Sequence, residues 1–242
     1  MRNSISVELC ASSVESLLLA AKYKVSRIEL CQDLDQGGLT PSPGLFQLAK
    51  ELKLETHVLI RPRAGGFCYS SDEKKVMIRD VAYFSANGAS GITIGGLKDN
   101  FELDMPFLKE LRSHVGDLHL TFHRAIDESI EWKRSLDELI ELKFNRILTS
   151  GFSSNVDSGF QILKQMVAYA KDRIEIMPGG GVNINNVKRL LEEAMATSIH
   201  FSGTTNVLLD EESAFSETIL RVDEKKVRRM METIQTLSGE SS

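Results

Sequence analysis

The sequence of 242 residues has little that would indicate a secreted, membrane-spanning or nucleic-acid-binding protein. Its three cysteines are too few for a disulfide framework. No apolar run approaches the roughly 20 residues of a membrane span, and the first ten residues, MRNSISVELC, lack the apolar centre of a signal peptide. The net charge of -5 offers no excess of Lys and Arg for phosphate contacts. We therefore expect a reduced, cytosolic protein with neither a nucleic-acid nor a membrane partner.

The composition is that of an ordinary globular protein, with 42% hydrophobic and 26% charged residues. The length allows one large domain or two small ones, and an α/β barrel commonly uses about 250 residues as a single domain. We expect one domain over residues 1–237, followed by a disordered tail at 238–242.

Eight short strand patterns alternate with eight helix patterns along the chain, which favours a TIM-type (β/α)8 barrel. An open doubly wound sheet is the alternative, but the G-x-G-x-x-G that usually follows its first strand is absent. Two further expectations are a helix capped by Asn183 that reaches about residue 195, and an irregular loop over 203–222. The predicted strands cover residues 5–10, 27–31, 56–63, 91–95, 118–124, 146–150, 174–178 and 198–202.

Alternation within the strands predicts which side chains face the barrel axis. Apolar residues such as Val7, Leu9, Leu120 and Phe122 occupy one face, which should pack under the helices. The other face is polar and ionisable near the carboxyl ends of the strands, where barrel enzymes carry out their chemistry. The residues predicted to point inward are Glu8, Cys10, Glu29, Cys31, Arg61, Arg63, Thr121, His123, His200 and Ser202, with Arg124 at the end of the fifth strand.

Charged groups inside a barrel need partners, because burying an unpaired charge is costly. Glu8 and Glu29 lie on neighbouring strands, about 5 Å apart if their levels match. Such a carboxylate pair requires a cation, which could be Arg61, Arg63, Arg124 or a metal. The alternative is an ion-pair cluster that neutralises itself and only stabilises the top of the barrel.

Two of the cysteines, Cys10 and Cys31, each lie two residues beyond a glutamate on neighbouring strands. Their side chains should therefore point the same way, and two thiolates at that separation could hold a soft ion such as Cu(I). They could also be small buried side chains, which is the commonest fate of a free cysteine and the interpretation that the spacing alone favours.

The run PGGGVN follows the seventh strand and precedes a helix. Barrels often bind phosphate after strands seven and eight, at backbone N–H groups near a helix N-terminus. Gly180, Gly181, Ser202 and Gly203 are therefore candidate phosphate-binding residues. A glycine turn required only for tight packing is the alternative.

Several motifs in order along the chain resemble the CutC-type copper homeostasis proteins. They are VELC, SVES, RIELC, GGLTPS, IRPR, FCYSSD, TFHRAID, RILTSG and MPGGG, with a final H-x-S at His200. The resemblance implies a single TIM-type barrel, a cytoplasmic location, a dimer or tetramer, and a link to copper tolerance. It also implies that Cys10 and Cys31 match the proposed Cu(I) ligands, whereas Gly66 replaces an acidic residue of the family pattern.

Two functions are compatible with these residues. The first is a cytosolic copper homeostasis protein that binds copper through the two thiols. The second is a barrel enzyme, an isomerase, lyase or hydrolase of a phosphorylated or acidic metabolite. Its catalytic groups would be Glu8 or Glu29 as general base, His123 or His200 as acid, and Arg61 with Arg63 as an anion clamp, with Arg124 nearby. A purely structural role fits the inward charges least well.

Overall fold

The computed structural model describes residues 5–208 and 218–239. No helix in these two segments combines the length and apolar character needed to cross a membrane. The strands are Ser6–Ala11 (β1), Arg27–Leu30 (β2), Thr56–Leu59 (β3), Gly91–Ile94 (β4), His119–Phe122 (β5), Arg146–Thr149 (β6), Glu175–Pro178 (β7), Ser198–Phe201 (β8), Thr204–Leu208 (β9) and Thr218–Val222 (β10). The α-helices are Val14–Lys22 (α1), Pro43–Glu51 (α2), Ser71–Ala86 (α3), Met105–Val115 (α4), Trp132–Glu141 (α5), Phe160–Ala170 (α6), Val187–Glu192 (α7) and Glu224–Ser238 (α8).

The first eight strands form a parallel sheet in the order β8-β1-β2-β3-β4-β5-β6-β7. The two ends of this order, β7 and β8, lie beside each other, so the sheet curls into a nearly closed barrel. The predicted TIM-type barrel is therefore confirmed, with the helices arranged between successive strands.

The apolar face of each strand packs against the helices, as the alternation predicted. Leu9 and Phe122 are fully buried in one large cluster that also contains Leu17 of α1 and Phe46 of α2. Burying a side chain of this size contributes about 1.5–3 kcal/mol. The opposite face carries buried charged and polar groups, including Glu8, Arg27, Glu29 and Arg146, together with a few apolar residues such as Leu59 and Leu148.

The register between strands decides which polar groups meet. Glu8 of β1 is level with Arg27 of β2 and with His200 of β8, whereas Cys10 is level with Glu29. The condition for a separation of about 5 Å between Glu8 and Glu29 is therefore not met, since their heights differ by two residues. Alternation fixes the face of a side chain but not its height.

The carboxyl-terminal part of the fold differs from expectation in three places. β9 and β10 pair antiparallel, so the described ends of the predicted irregular loop are strands, and residues 209–217 lie outside the description. α7 begins only at Val187, since Asn183 forms a turn in which its side chain accepts a hydrogen bond from the Asn185 N–H. α8 continues to Ser238, one residue into the predicted tail, and 240–242 are not described.

Removing the hydroxyl of Ser70 is expected to destabilise the protein by about 1 kcal/mol. Ser70 caps α3 by accepting the N–H of Glu73, whose carboxylate in return accepts the N–H of Ser70. Urea denaturation of Ser70→Ala measures the loss. Ser71→Ala, an exposed position on the first turn, is the control, and an equal loss in both variants would contradict the capping role.

Candidate functional site

A cavity of about 670 Å³ opens at the carboxyl ends of the strands. Its size suits a small molecule, since ligand pockets commonly measure about 300–1,000 Å³. Residues from β1, β2, β3, β6 and β8 reach into it, together with residues that follow the ends of β2, β3, β5, β6, β7 and β8. The lining includes Cys10, Glu29, Arg61, Phe67, His123, Arg124, Asp127, Ser153, Gly180, Gly181, His200 and Ser202.

A cluster of possible metal ligands lies on one wall. One ligand atom each from Cys10, Glu29 and His200 lies within 4.8 Å of the other two, and all three residues are buried. The Sγ atom of Cys31 is 3.7 Å from that of Cys10, and both thiols are free. Strand register explains the cluster, because Cys10 and Glu29 are level on neighbouring strands and His200 lies on the other side of β1.

Burial and proximity shift the proton affinities of this cluster. The hydrogen bond with Cys31, together with burial, raises the pKa of the Cys10 thiol well above its usual range. Burial, assisted by the charge of Glu8, raises the pKa of Glu29 to about 7. Burial by itself lowers the pKa of His200, but the charge of Glu29 and hydrogen bonds with Cys10 and Glu8 outweigh it and raise the pKa well above its ordinary value.

Glu8 lies beneath the cavity in a buried ion-pair network and is absent from the residues lining the cavity. One of its oxygens is 2.5 Å from Nε of Arg27 and 3.8 Å from Nη1 of Arg146, and the other is 2.8 Å from Nδ1 of His200. Burial by itself raises the pKa of Glu8, but the His200 hydrogen bond and the Arg27 charge lower it well below 4.5. The predicted cations for this carboxylate, Arg61, Arg63 and Arg124, were therefore wrong.

Arg61 and Arg63 have partners other than Glu8. Arg61 reaches the cavity and donates to backbone carbonyls of Gln36, Gly38 and Gly65. Arg63 lies outside the cavity lining. Its guanidinium pairs with Glu73 at 2.5 Å and donates to the carbonyl oxygens of Ala64, Gly66 and Cys68, so the structure does not bring it together with Arg61 as a clamp.

The rim opposite the cysteines is organised by Asp127. Its carboxylate pairs with Arg124 at 2.9 Å and accepts hydrogen bonds from Thr149, Ser150 and the N–H of Phe152. These bonds fix Arg124 and the loop after β6 at the edge of the cavity.

Only three of the four predicted phosphate-binding residues lie at the cavity. Gly180, Gly181 and Ser202 line the cavity, whereas Gly203 is absent from its lining. A Cβ atom on Gly203 would lie 3.0 Å from Val227 of α8, which shows how closely this backbone packs. α7 has only six residues and starts at Val187, after a turn, so its first residue is six positions beyond Gly181. The phosphate-binding role of these residues stays a prediction.

His123 lies deep in the cavity wall, 5% exposed, with its ring centroid 4.9 Å from that of Phe67. Its Nδ1 accepts the N–H of Ala125. Burial, followed by the charge of Arg61, lowers the pKa of His123 to about 3. A side chain on Gly95 would overlap the imidazole ring, so a glycine is required there.

Sequence reasoning overlooked Arg27, Arg146 and Asp127. A signal was present for the first two, because Arg27 lies two residues before Glu29 and Arg146 lies on the inward face of its strand. For Asp127 the signal was the spacing of three residues from Arg124 within TFHRAID.

Comparison with known proteins supports one family. The sequence model of the CutC family matches residues 5–205. A CutC family protein of Bacteroides thetaiotaomicron is 36% identical over 96% of this chain and 98% of its own length. A protein of Mus musculus named copper homeostasis protein cutC homolog is 37% identical over 94% of this chain and 89% of its own length.

Solved structures show the same fold. The crystal structure of a CutC protein from Streptococcus agalactiae has a TM-score of 0.77 and 33% identity, and the match covers 82% of this chain and 98% of that one. Deoxyribose phosphate aldolase from Aeropyrum pernix has a TM-score of 0.61 at 12% identity, covering 96% and 90% of the two chains. At that identity the likeness concerns the barrel fold alone.

Proposed function

The chain belongs to the CutC family of copper homeostasis proteins, and from the side chains in its barrel mouth we propose that it binds copper directly, as Cu(I), in the cytosol. The primary ligands are the thiolates of Cys10 and Cys31. Thiolate sulfur is the ligand type that selects Cu(I), and imidazole also suits copper. The dimer or tetramer implied by the resemblance stays a prediction.

The observation that carries this proposal is the 3.7 Å separation of the two sulfur atoms. Two metal–sulfur bonds of about 2.3 Å, the value for zinc thiolates, span this distance at an angle of roughly 107°. An angle near tetrahedral leaves room for further ligands, and the ligand atoms of His200 and Glu29 lie within 4.8 Å of the Cys10 sulfur. The donor set therefore fits a metal held from one side of the cavity.

Proton release accompanies such binding, because a metal takes the thiolate and not the thiol. The raised pKa of Cys10 keeps its sulfur protonated in the metal-free protein at neutral pH. The copper affinity should consequently rise with pH.

The test is a competition titration with Cu(I) and a chelator under reducing, anaerobic conditions. The affinity of Cys10→Ser/Cys31→Ser should fall more than about 100-fold, because even loss of an outer partner of a metal ligand commonly costs 10–100-fold. Circular dichroism checks that the variant is folded.

Cys68→Ser is the matched control. This third thiol is exposed and lies 3.1 Å from Asp99, away from the cluster. Its loss should leave the affinity unchanged. Undiminished binding by the folded double variant would remove the thiol site, and an equal loss in Cys68→Ser would indicate non-specific thiol binding.

An enzyme acting on an acidic or phosphorylated small molecule is the second candidate. It is favoured by Glu29, whose pKa of about 7 suits a proton-transfer group at neutral pH, at a position lining the cavity beside His200. Glu8 is excluded from that role by its place in the ion-pair network below the cavity.

A further inference from the structure

Two buried donors on residues that line the cavity have no hydrogen-bond partner among the described residues. They are Nε of Arg61 and Nε2 of His123. Both residues line the cavity, and they are only 7% and 5% exposed. More than about 90% of buried polar groups in proteins have a partner, so two unpaired donors on residues of one cavity are consistent with an acceptor that a ligand supplies. The hydroxyl of Tyr69 also lies near Arg61.

Arg61 also carries a charge that is not neutralised. Its two terminal nitrogens donate to three backbone carbonyls, and no carboxylate of residues 5–208 or 218–239 lies within 4.0 Å of it. The other buried arginines, Arg27 and Arg146, each have a carboxylate at 2.5–2.6 Å. A buried cation without a counter-charge is costly, and an anion bound at Arg61 would remove that cost.

The hydrogen bond at Nδ1 settles which nitrogen of His123 carries the proton. Nδ1 accepts the N–H of Ala125, so a neutral ring must carry its hydrogen on Nε2. The low pKa of about 3 keeps the ring neutral throughout the physiological range. His123 is therefore a fixed, uncharged donor, a form in which an imidazole can polarise a ligand oxygen.

Phe67 connects the two donors. Its ring centroid lies 4.9 Å from the His123 ring and 5.3 Å from Cζ of Arg61. The backbone carbonyls on one side and the aromatic ring on the other hold the guanidinium in place, so little ordering is required on binding.

From this geometry we propose that Arg61 and His123 form a binding site for an oxyanion, the carboxylate or phosphate group of a small molecule in the cavity. The oxygens of the ligand accept hydrogen bonds from Nε of Arg61 and from Nε2 of His123. The negative charge of the ligand neutralises the guanidinium. The site lies just beyond the carboxyl ends of β3 and β5, whereas Cys10 lies on β1 and Cys31 just beyond β2. It does not depend on copper binding, and it supplies the anion site that the second candidate function requires.

The test is isothermal titration with inorganic phosphate and with malonate at constant ionic strength and low chloride. His123→Asn keeps an oxygen near the position of Nδ1 for the Ala125 N–H but removes the Nε2 donor. Its affinity should fall about ten-fold or more, as expected for one hydrogen bond to a charged group. His123→Gln, which places an amide N–H near the former Nε2, should retain more of the affinity than His123→Asn.

Arg61→Gln should abolish measurable binding. Because this variant also loses contacts to loop carbonyls, it is interpreted only if circular dichroism shows it folded; the histidine pair tests the site in either case. In the wild-type protein, the ¹⁵N resonance of His123 Nε2 should shift on saturation. Stronger binding of phosphate or of malonate identifies which oxyanion the site prefers.

Two results would overturn the proposal: absence of saturable binding of both anions to the wild-type protein, or unchanged affinity in His123→Asn and in folded Arg61→Gln. Cys10→Ser/Cys31→Ser separates this site from the copper centre. That variant should lose copper and keep the anion, whereas His123→Asn should keep copper and bind the anion about ten-fold or more weakly.

Discussion

Replacing Arg27 with methionine is expected to lower the free energy of unfolding by about 3–5 kcal/mol, the loss typical of breaking a buried ion pair from one side. The Arg27 and Glu8 side chains are 6% and 1% exposed, with 2.5 Å between Nε and the carboxylate. Without Arg27, Glu8 would retain only His200 and the more distant Arg146. Urea denaturation at pH 7 measures the loss.

Arg173→Met provides the control for this prediction. Arg173 pairs with Asp137 at 3.0 Å, but both side chains are nearly half exposed. An exposed pair contributes only about 0–1 kcal/mol. The double variant Glu8→Gln/Arg27→Met should recover part of the loss, since no unpaired carboxylate remains. A loss in Arg27→Met no larger than that in Arg173→Met would contradict the proposed dependence of Glu8 on Arg27.

Replacing Glu29 with glutamine should stabilise the protein at pH 8 by about 3 kcal/mol and leave it nearly unchanged below pH 4.5. Burial, followed by the charge of Glu8, raises the pKa of Glu29 from 4.5 to about 7. The folded state therefore holds this proton more tightly than the unfolded state. The stabilisation that the folded state gains from binding this proton is complete below pH 4.5 and disappears as the pH rises through 7. Glutamine is neutral at every pH, so the variant avoids the cost of the buried charge.

The measurement is the difference in unfolding free energy between Glu29→Gln and the wild type at several pH values from 4.5 to 8, without metal. Glu55→Gln is the comparison, because a hydrogen bond with His57 lowers the pKa of Glu55 despite partial burial. The effect of Glu55→Gln should have the opposite sign: this variant should lower the free energy of unfolding at pH values above the acid range. A difference for Glu29→Gln that does not grow with pH would show that Glu29 is already charged at pH 5.

The candidate site could be predicted in part. Alternation correctly placed Cys10, Glu29, Arg61, His123 and His200 at one cavity, because the side-chain period of a strand is local. Arg63 keeps to the same alternation but lies four residues beyond the end of β3, where it pairs with Glu73, whereas Arg61 lies two residues beyond it and still lines the cavity. The alternation of side chains alone cannot show at which residue a strand ends.

The sequence by itself determined the number of strands in the barrel, the face on which each side chain lies and the end of the barrel at which ionisable groups collect. Only the tertiary structure decided that Glu8 meets Arg27 and His200, while Glu29 meets Cys10. The hydrogen on Nε2 of His123 follows in the same way from a bond with the Ala125 backbone beyond the end of its strand. The physical reason is that alternation depends on neighbours in the chain, whereas strand height depends on the register by which eight strands close into a barrel.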